Sequence, residues 1–226
     1  MSNGVVRFTK RGSVASVVFD RPEARNALTM AMYDQLAAAC HTIDTDPEVR
    51  VAIFRGAGEA FTAGTDIREF LSFTSAEDGI AYEERIDAVV AQIEKLPVPT
   101  IAVVQGVAMG VGLLIAACDF RIATPAARFG VPIARTLGNC LSISNTARLV
   151  AALGPGLSKR LLLLSDTISA EEAQRCGFVL HLSEPENIEE IVRTLRSQLT
   201  AHAPITMRVA KESIRRLNEA LPEAII

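Results

Sequence analysis

Thr100-Ile-Ala-Val-Val-Gln-Gly-Val-Ala-Met-Gly-Val-Gly-Leu-Leu-Ile-Ala-Ala-Cys-Asp119 is the stretch on which the reading of this chain turns. It opens on β-branched Ile101, Val103 and Val104, passes Gly106, Gly110 and Gly112, and continues as the apolar run 113–118. That order predicts a buried strand, a glycine-rich turn and a buried helix. Backbone N–H groups at a helix start favour negative charge on an oxygen held there. Close packing of a helix on a strand would need the same glycines. A membrane helix is a third reading, because 96–118 carries no formal charge and contains Gly106-x-x-x-Gly110. Pro97 and Pro99 at its start, Gln105 mid-span and flanks without aromatic or basic anchors argue against it.

Upstream, Val51-Ala-Ile-Phe54 followed by Arg55-Gly-Ala-Gly-Glu-Ala-Phe-Thr-Ala-Gly-Thr-Asp66 repeats the pattern of strand, glycine-bearing bend and helix. Two such bends on one side of a sheet would bring N–H groups to a common point. Before them, Val5 to Phe8 and Val14 to Phe19 predict a hairpin across Lys10-Arg11-Gly12. The polar turn Asp20-Arg-Pro-Glu-Ala-Arg-Asn26 follows, and then Leu28, Met32, Leu36, Cys40 and Ile43 recur at helical spacing behind a Thr29 cap. Tyr82, Ile86, Val89, Val90 and Ile93 mark an amphipathic helix whose Glu83, Glu84, Asp87 and Glu94 are expected towards water. After a strand at 120–124 and an extended piece at 127–133, the rear of the chain reads as helical, with breaks at Gly154-Pro155, Gly177 and Ala203-Pro204. The whole predicts an α/β fold, a largely buried sheet wrapped by helices with a helical C-terminal region.

With 226 residues, 49% hydrophobic and 22% charged, the chain can bury a substantial core. A net charge of −3 with scattered basic residues gives no electrostatic footprint for nucleic acid. Cys40, Cys118, Cys140 and Cys176 lack paired spacing, and the N-terminus lacks an apolar signal region, so a cytoplasmic protein is expected, with no membrane partner.

Five segments in this order resemble the crotonase superfamily, the enoyl-CoA hydratase/isomerase proteins. They are Arg21-Pro-Glu-Ala-Arg-Asn-Ala-Leu28, Phe61-Thr-Ala-Gly-Thr-Asp-Ile67, Gln105-Gly-Val-Ala-Met-Gly-Val-Gly112, Ala170-Glu-Glu-Ala173 with Gly177-Phe-Val179, and Ala203-Pro204 through Ala210-Lys211. The resemblance implies a spiral of ββα units over residues 1–185. It also implies a C-terminal trimerisation or lid region at 186–226, which looks shortened, and a homotrimer or homohexamer. It implies an acyl-CoA thioester substrate and no separate cofactor or metal. By motif position the thioester carbonyl would be held by the backbone N–H groups of Thr65 and Val111, leaving their side chains free to vary. The family usually carries glycine where Val111 stands. Ala63, Asp66, Ile67, Gly110, Leu114 and Ile133 would line the substrate, and Arg25 and Arg68 would reach CoA phosphates.

The same resemblance places the two hydratase glutamates at Leu114 and Ile133, so both carboxylates are missing. Leu and Ile can neither activate water nor deliver a proton. The expectation is therefore thioester enolate chemistry by another route, decarboxylation fitting best, with isomerisation or thioester hydrolysis as alternatives. A catalytically silent acyl-CoA-binding paralogue would show the same pattern.

Each candidate side chain also has a plainer reading. Asp66 suits a helix cap better than proton transfer, and Arg25 and Arg68 equally suit a solvated surface. Arg135, Asn139 and Cys140 occupy a segment where several family members carry an alternative acid. Asn139 and Cys140 are the catalytic candidates there, although a small buried cysteine is the more ordinary account of Cys140. His41, His181 and His202 lack metal-ligand spacing, Glu171 and Glu172 suit a helix start, and Lys211 is expected to be exposed.

Overall fold

The computed structural model describes residues 3–110, 117–136 and 138–223, with side chains through residue 218. Strands β1 (Val5–Arg11) and β2 (Val14–Asp20) form the expected antiparallel hairpin, reversing at Gly12, whose φ is 59°. Strand β3 (Val51–Gly56), β4 (Thr100–Val104), β6 (Phe120–Ala123) and β9 (His181–Leu182) then add in parallel, giving the order β1-β2-β3-β4-β6-β9. A smaller sheet joins β5 (Val107–Met109), β7 (Arg128–Gly130) and β8 (Thr167–Ser169).

The uninterrupted apolar runs of β3 and β4 are explained by burial on both faces, since alternate side chains go to opposite sides. On one face Ala52, Phe54, Ala102 and Val104 meet helices α1 (Met30–Thr45) and α2 (Ala76–Lys95). On the other, Val51, Ile53, Ile101, Val103 and Ile122 meet Ile188, Val192 and Leu199 of a later helix, Ile188–Ala201. Each buried valine, leucine, isoleucine or phenylalanine among them contributes about 1.5–3 kcal/mol by leaving water. Both helices that flank the first face begin on side-chain caps. Thr29 Oγ1 accepts from Met32 N at 3.3 Å, and Ser75 and Asp78 close a capping box.

The rear of the chain departs from the all-helical expectation, because β8 and β9 pair with strands formed some forty to sixty residues earlier. Around them lie α3 (Ile133–Thr136), α4 (Ile143–Leu163), α5 (Ala170–Arg175), α6 (Ile188–Ala201) and α7 (Pro204–Glu223). Gly154-Pro155 kinks α4 without ending it; Gly154 takes φ 75° and ψ 164°. Ile133 is helical rather than extended, because Pro132 opens α3. Within 100–119, the glycine-rich turn contains strand β5, and residues 111–116, where a helix is expected, lie outside the described residues. No described helix is long and apolar enough to cross a membrane.

Lys211 is not exposed as its position in an amphipathic helix suggests. Its ammonium lies 2.7 Å from Asp119 Oδ2 and donates to Val98 O at 3.1 Å, with the side chain 14% exposed. Asp119 also accepts from Thr100 N and Oγ1, so α7 is tied to the start of β4. The carboxylates of α2 depart from expectation for a related reason. Helix α4 and the segment before it cover part of the face read as wet, where Asp87 accepts from Ser142 and Asn145 and Glu94 pairs with Arg148.

Candidate active site

The bend after β3 is held by a buried polar knot that begins in the motif at 21–28. Asn26, fully buried with φ 56°, accepts from Arg21 N at 2.9 Å and donates to Ala57 O and Ala60 O at 2.8 and 2.7 Å. The chain folds back so tightly that a Cβ on Gly56 would sit 1.9 Å from Ala60 O, which only glycine avoids. One edge of the bend is zipped to 25–28: Ala63 N donates to Arg25 O, Leu28 N to Gly64 O and Asp66 N to Leu28 O. The other edge is zipped to β5, with Thr62 N donating to Val107 O and Met109 N to Thr62 O.

These two seams bring the glycine bends into contact. A Cβ on Gly64 would lie 3.0 Å from Met109 O and 3.5 Å from Gly110 Cα. Because Leu28 bridges Thr65 in parallel through the amide of residue 66 and the carbonyl of residue 64, the N–H of Thr65 itself is turned to the opposite side. That amide has no acceptor among the described residues, whereas Gly110 N donates to Gly130 O at 2.8 Å. Val111 and Leu114 lie outside the described residues.

A cavity of about 150 Å³ opens at this point. Of the residues singled out from the sequence, it gathers Ala63, Thr65, Ile67, Gly110, Ile133 and Asn139. Thr65 is not free to vary as expected, since its hydroxyl is held between Tyr33 Oη at 2.7 Å and Tyr82 Oη at 2.6 Å. Burial raises both phenols, Tyr82 to about 12. Phe70 packs edge-on against Tyr82, with ring centroids 4.8 Å apart, and walls the same cavity.

Asp66 stands outside the cavity and does what its plainer reading predicts. Its side chain accepts from Arg68 N and caps the turn Ile67–Ser72. Its Oδ2 lies 2.7 Å from Arg21 Nη1 and 2.6 Å from Arg68 Nη2, and these guanidinium contacts, Arg68 foremost, hold the carboxyl well below the usual carboxylate range. Arg21, read from sequence as part of a polar turn, is 1% exposed. Arg68 is half exposed while paired to Asp66, Arg25 is exposed at the end of the turn Pro22–Ala24, and neither lines the cavity.

Cys140 is exposed, against the expectation of a buried thiol, because residues 138–142 cross the surface between α3 and α4. It borders a second cavity of about 560 Å³ that shares Phe70, Tyr82, Glu83, Asn139 and Leu141 with the first. Arg135 and the three histidines are exposed. Among the described residues no three His, Cys, Asp or Glu side chains gather as a metal site.

Glu83 is the residue the sequence reading missed. It lies on the face of α2 assigned to water, yet it lines both cavities, and partial burial raises its carboxyl above the ordinary glutamate value against the opposing hydrogen bond from Asn139 Nδ2 at 3.1 Å. No local signal marked it, since the side chain that meets it, Asn139, lies 56 residues further along the chain.

This geometry has counterparts. Residues 9–225 match the family model described as enoyl-CoA hydratase/isomerase. The chain is 35% identical over 209 residues to the short-chain-enoyl-CoA hydratase of Clostridium acetobutylicum, covering 92% of this chain and 79% of that protein. It is 34% identical over 204 residues to the crotonyl-CoA hydratase of Syntrophomonas wolfei, covering 89% and 78%. Among solved structures, an enoyl-CoA hydratase/carnithine racemase from Magnetospirillum magneticum superposes with a TM-score of 0.88 at 30% identity, covering 94% of this chain and 80% of that one. The strand–bend–strand frame at 51–66 and 100–110, the small cavity it encloses and these matches together place the chain in the enoyl-CoA hydratase/isomerase family.

Proposed function

We propose that this chain binds an acyl-CoA thioester in the cavity beside Thr65 and stabilises its enolate, by a route other than the two-glutamate addition of water. The observation that carries this reading is the Thr65 N–H, turned away from its bridge partner towards a small, mostly apolar cavity where two glycine bends touch. Deprotonation beside a thioester carbonyl moves negative charge onto its oxygen, and a fixed N–H in a dry site stabilises that charge far better than water does. In this reading Val111 supplies the second donor. Ile133 lines the cavity where a hydratase carboxylate is expected, and Leu114 takes the other position. Among the routes left, proton transfer with double-bond isomerisation fits better than decarboxylation, because the partly buried carboxyl of Glu83 would oppose a malonyl-type carboxylate in the same cavity.

Calorimetric titration with butyryl-CoA, free CoA and malonyl-CoA tests the binding step; micromolar affinity for the thioester with weaker binding of CoA alone is the expected result, and no binding of any of them rejects the reading. Turnover on an enoyl-CoA panel then separates an enzyme from a silent acyl-CoA-binding paralogue. Hydration of crotonyl-CoA is expected to run well below about 10 per second, the rate of an ordinary enzyme. A rate at or above that level would show that hydration proceeds here without acids at 114 and 133.

We also propose that the apolar side chains that α7 leaves in water, Ile205, Val209, Ile214 and Leu217 at 56–69% exposure, are covered by a neighbouring subunit of a homotrimer or homohexamer. Exposed apolar area on this scale favours association. Sedimentation is expected to show an oligomer that the double substitution V209E/L217E shifts to smaller species; an unshifted distribution would remove α7 from the interface.

A further inference from the structure

The deepest unassigned chemistry of the molecule lies where the two cavities meet. Glu83 and Asn139 belong to the walls of both, so they stand at the junction between the small cavity beside Thr65 and the larger one bordered by Phe73, Ile80 and Cys140. A thioester whose oxygen faces the Thr65 N–H and whose acyl chain enters the larger cavity must run its first carbons past that junction. Those carbons carry the acidic hydrogens.

We propose that Glu83, positioned by Asn139, is the proton-transfer group of this site. The proposal rests on the acyl-thioester reading above. In the step, the Cα–H bond breaks and its proton goes to a Glu83 carboxylate oxygen. The bonding pair becomes the carbon–carbon double bond of the enolate, as the carbonyl π pair moves onto the oxygen facing Thr65. Glu83 then returns the proton to Cα, or to Cγ of an unsaturated chain, and the double bond moves. Nothing is oxidised and no co-reactant is consumed.

Three features suit Glu83 to this work. The other titratable groups of the small cavity, Tyr33 and Tyr82, hold the Thr65 hydroxyl and stay protonated, leaving the Glu83 carboxyl as the group there that can change charge. Partial burial raises its proton affinity towards the working pH of a general base. Asn139 can serve both protonation states: its Nδ2 donates to the carboxylate while its buried Oδ1 has no partner among the described residues, and turning the amide over presents that oxygen to a protonated acid. Around Glu83 stand Asp87 and Glu84 on its own helix, Tyr33 from α1, Cys140 from 138–142, and only apolar or neutral side chains from Ile67–Ser72 and α3. Asp87 repels the ionised form, and its own carboxylate accepts from Ser142 and Asn145.

The test is exchange of the Cα hydrogens of butyryl-CoA in deuterated water, followed by mass spectrometry across pH, with calorimetric affinity for the same ligand in parallel. The wild-type rate is expected to rise with pH as Glu83 ionises. E83Q should lower it about a hundredfold or more while binding butyryl-CoA with little change. N139A removes a donor that favours the carboxylate, so it should move the rising limb to higher pH and keep the plateau, a shift that a purely structural role would not produce. If E83Q does not fold, the N139A profile decides. Binding without exchange by the wild type, or E83Q exchanging at the wild-type rate, overturns the role of Glu83 and leaves the acyl-CoA reading standing. Failure of the wild type to bind butyryl-CoA ends both.

Discussion

Asp66→Ala is expected to destabilise the fold by about 3–5 kcal/mol, because it takes the carboxylate away from a guanidinium that water cannot reach. Arg21 is 0% exposed along its side chain and Asp66 9%, so neither charge is screened as a surface pair would be. The carboxylate also accepts from Arg68 N, so the variant uncaps the turn Ile67–Ser72 as well. For a domain of this size the melting midpoint should fall by about 10 °C, which scanning calorimetry reads directly. A loss under about 1 kcal/mol, typical of exposed pairs, would mean that Arg21 is fully served by its other contacts, among them Ala27 O at 3.0 Å.

The acid dependence has a definite sign. Asp66 ionises at lower pH in the folded chain than in the unfolded one, so below the ordinary carboxylate value of about 4 the unfolded chain takes up a proton that the folded chain refuses. The stabilisation is complete above that value and is lost as pH falls through the depressed folded value. Asp66→Asn should therefore flatten the acid side of a stability–pH curve, and an unchanged slope would assign the acid sensitivity to other carboxylates.

Thr65→Pro is expected to lower turnover on the thioester substrate by about a hundredfold to a thousandfold, the usual consequence of losing one oxyanion donor. Proline deletes the N–H, from which no described carbonyl accepts, and with it the hydroxyl held between Tyr33 and Tyr82. The loss should fall on kcat more than on KM, since the charge it stabilises develops in the transition state. Thr65→Val separates the side chain from the amide. It keeps the donor but removes the hydroxyl between Tyr33 and Tyr82, so it should cost about 1–3 kcal/mol of stability with turnover mostly preserved. Equal turnover in wild type and Thr65→Pro would remove the amide from the chemistry.

What could be read without coordinates was local or periodic. The runs at 51–54 and 101–104 had to be strands with two dry faces, Thr29 and Asp66 had to cap what followed them, and glycines at 56, 64, 106 and 110 had to mark bends. Their order along the chain also carried the family resemblance. Hydrophobic periodicity, caps and bends depend on residues within a few positions of one another, and so they survive in one dimension.

Contacts across dozens of residues decided the rest. Glu83 passed for a solvated face of α2 until the 138–142 segment closed over it, and Lys211 for an exposed helix residue until α7 docked beside Asp119. Arg21 looked like part of a polar turn until Asp66, 45 residues on, met it in the core. A polar side chain carries no mark in the sequence of whether it ends in water or beside a partner. Burial is a property of the surfaces that come to cover it, and only the packed chain assigns those.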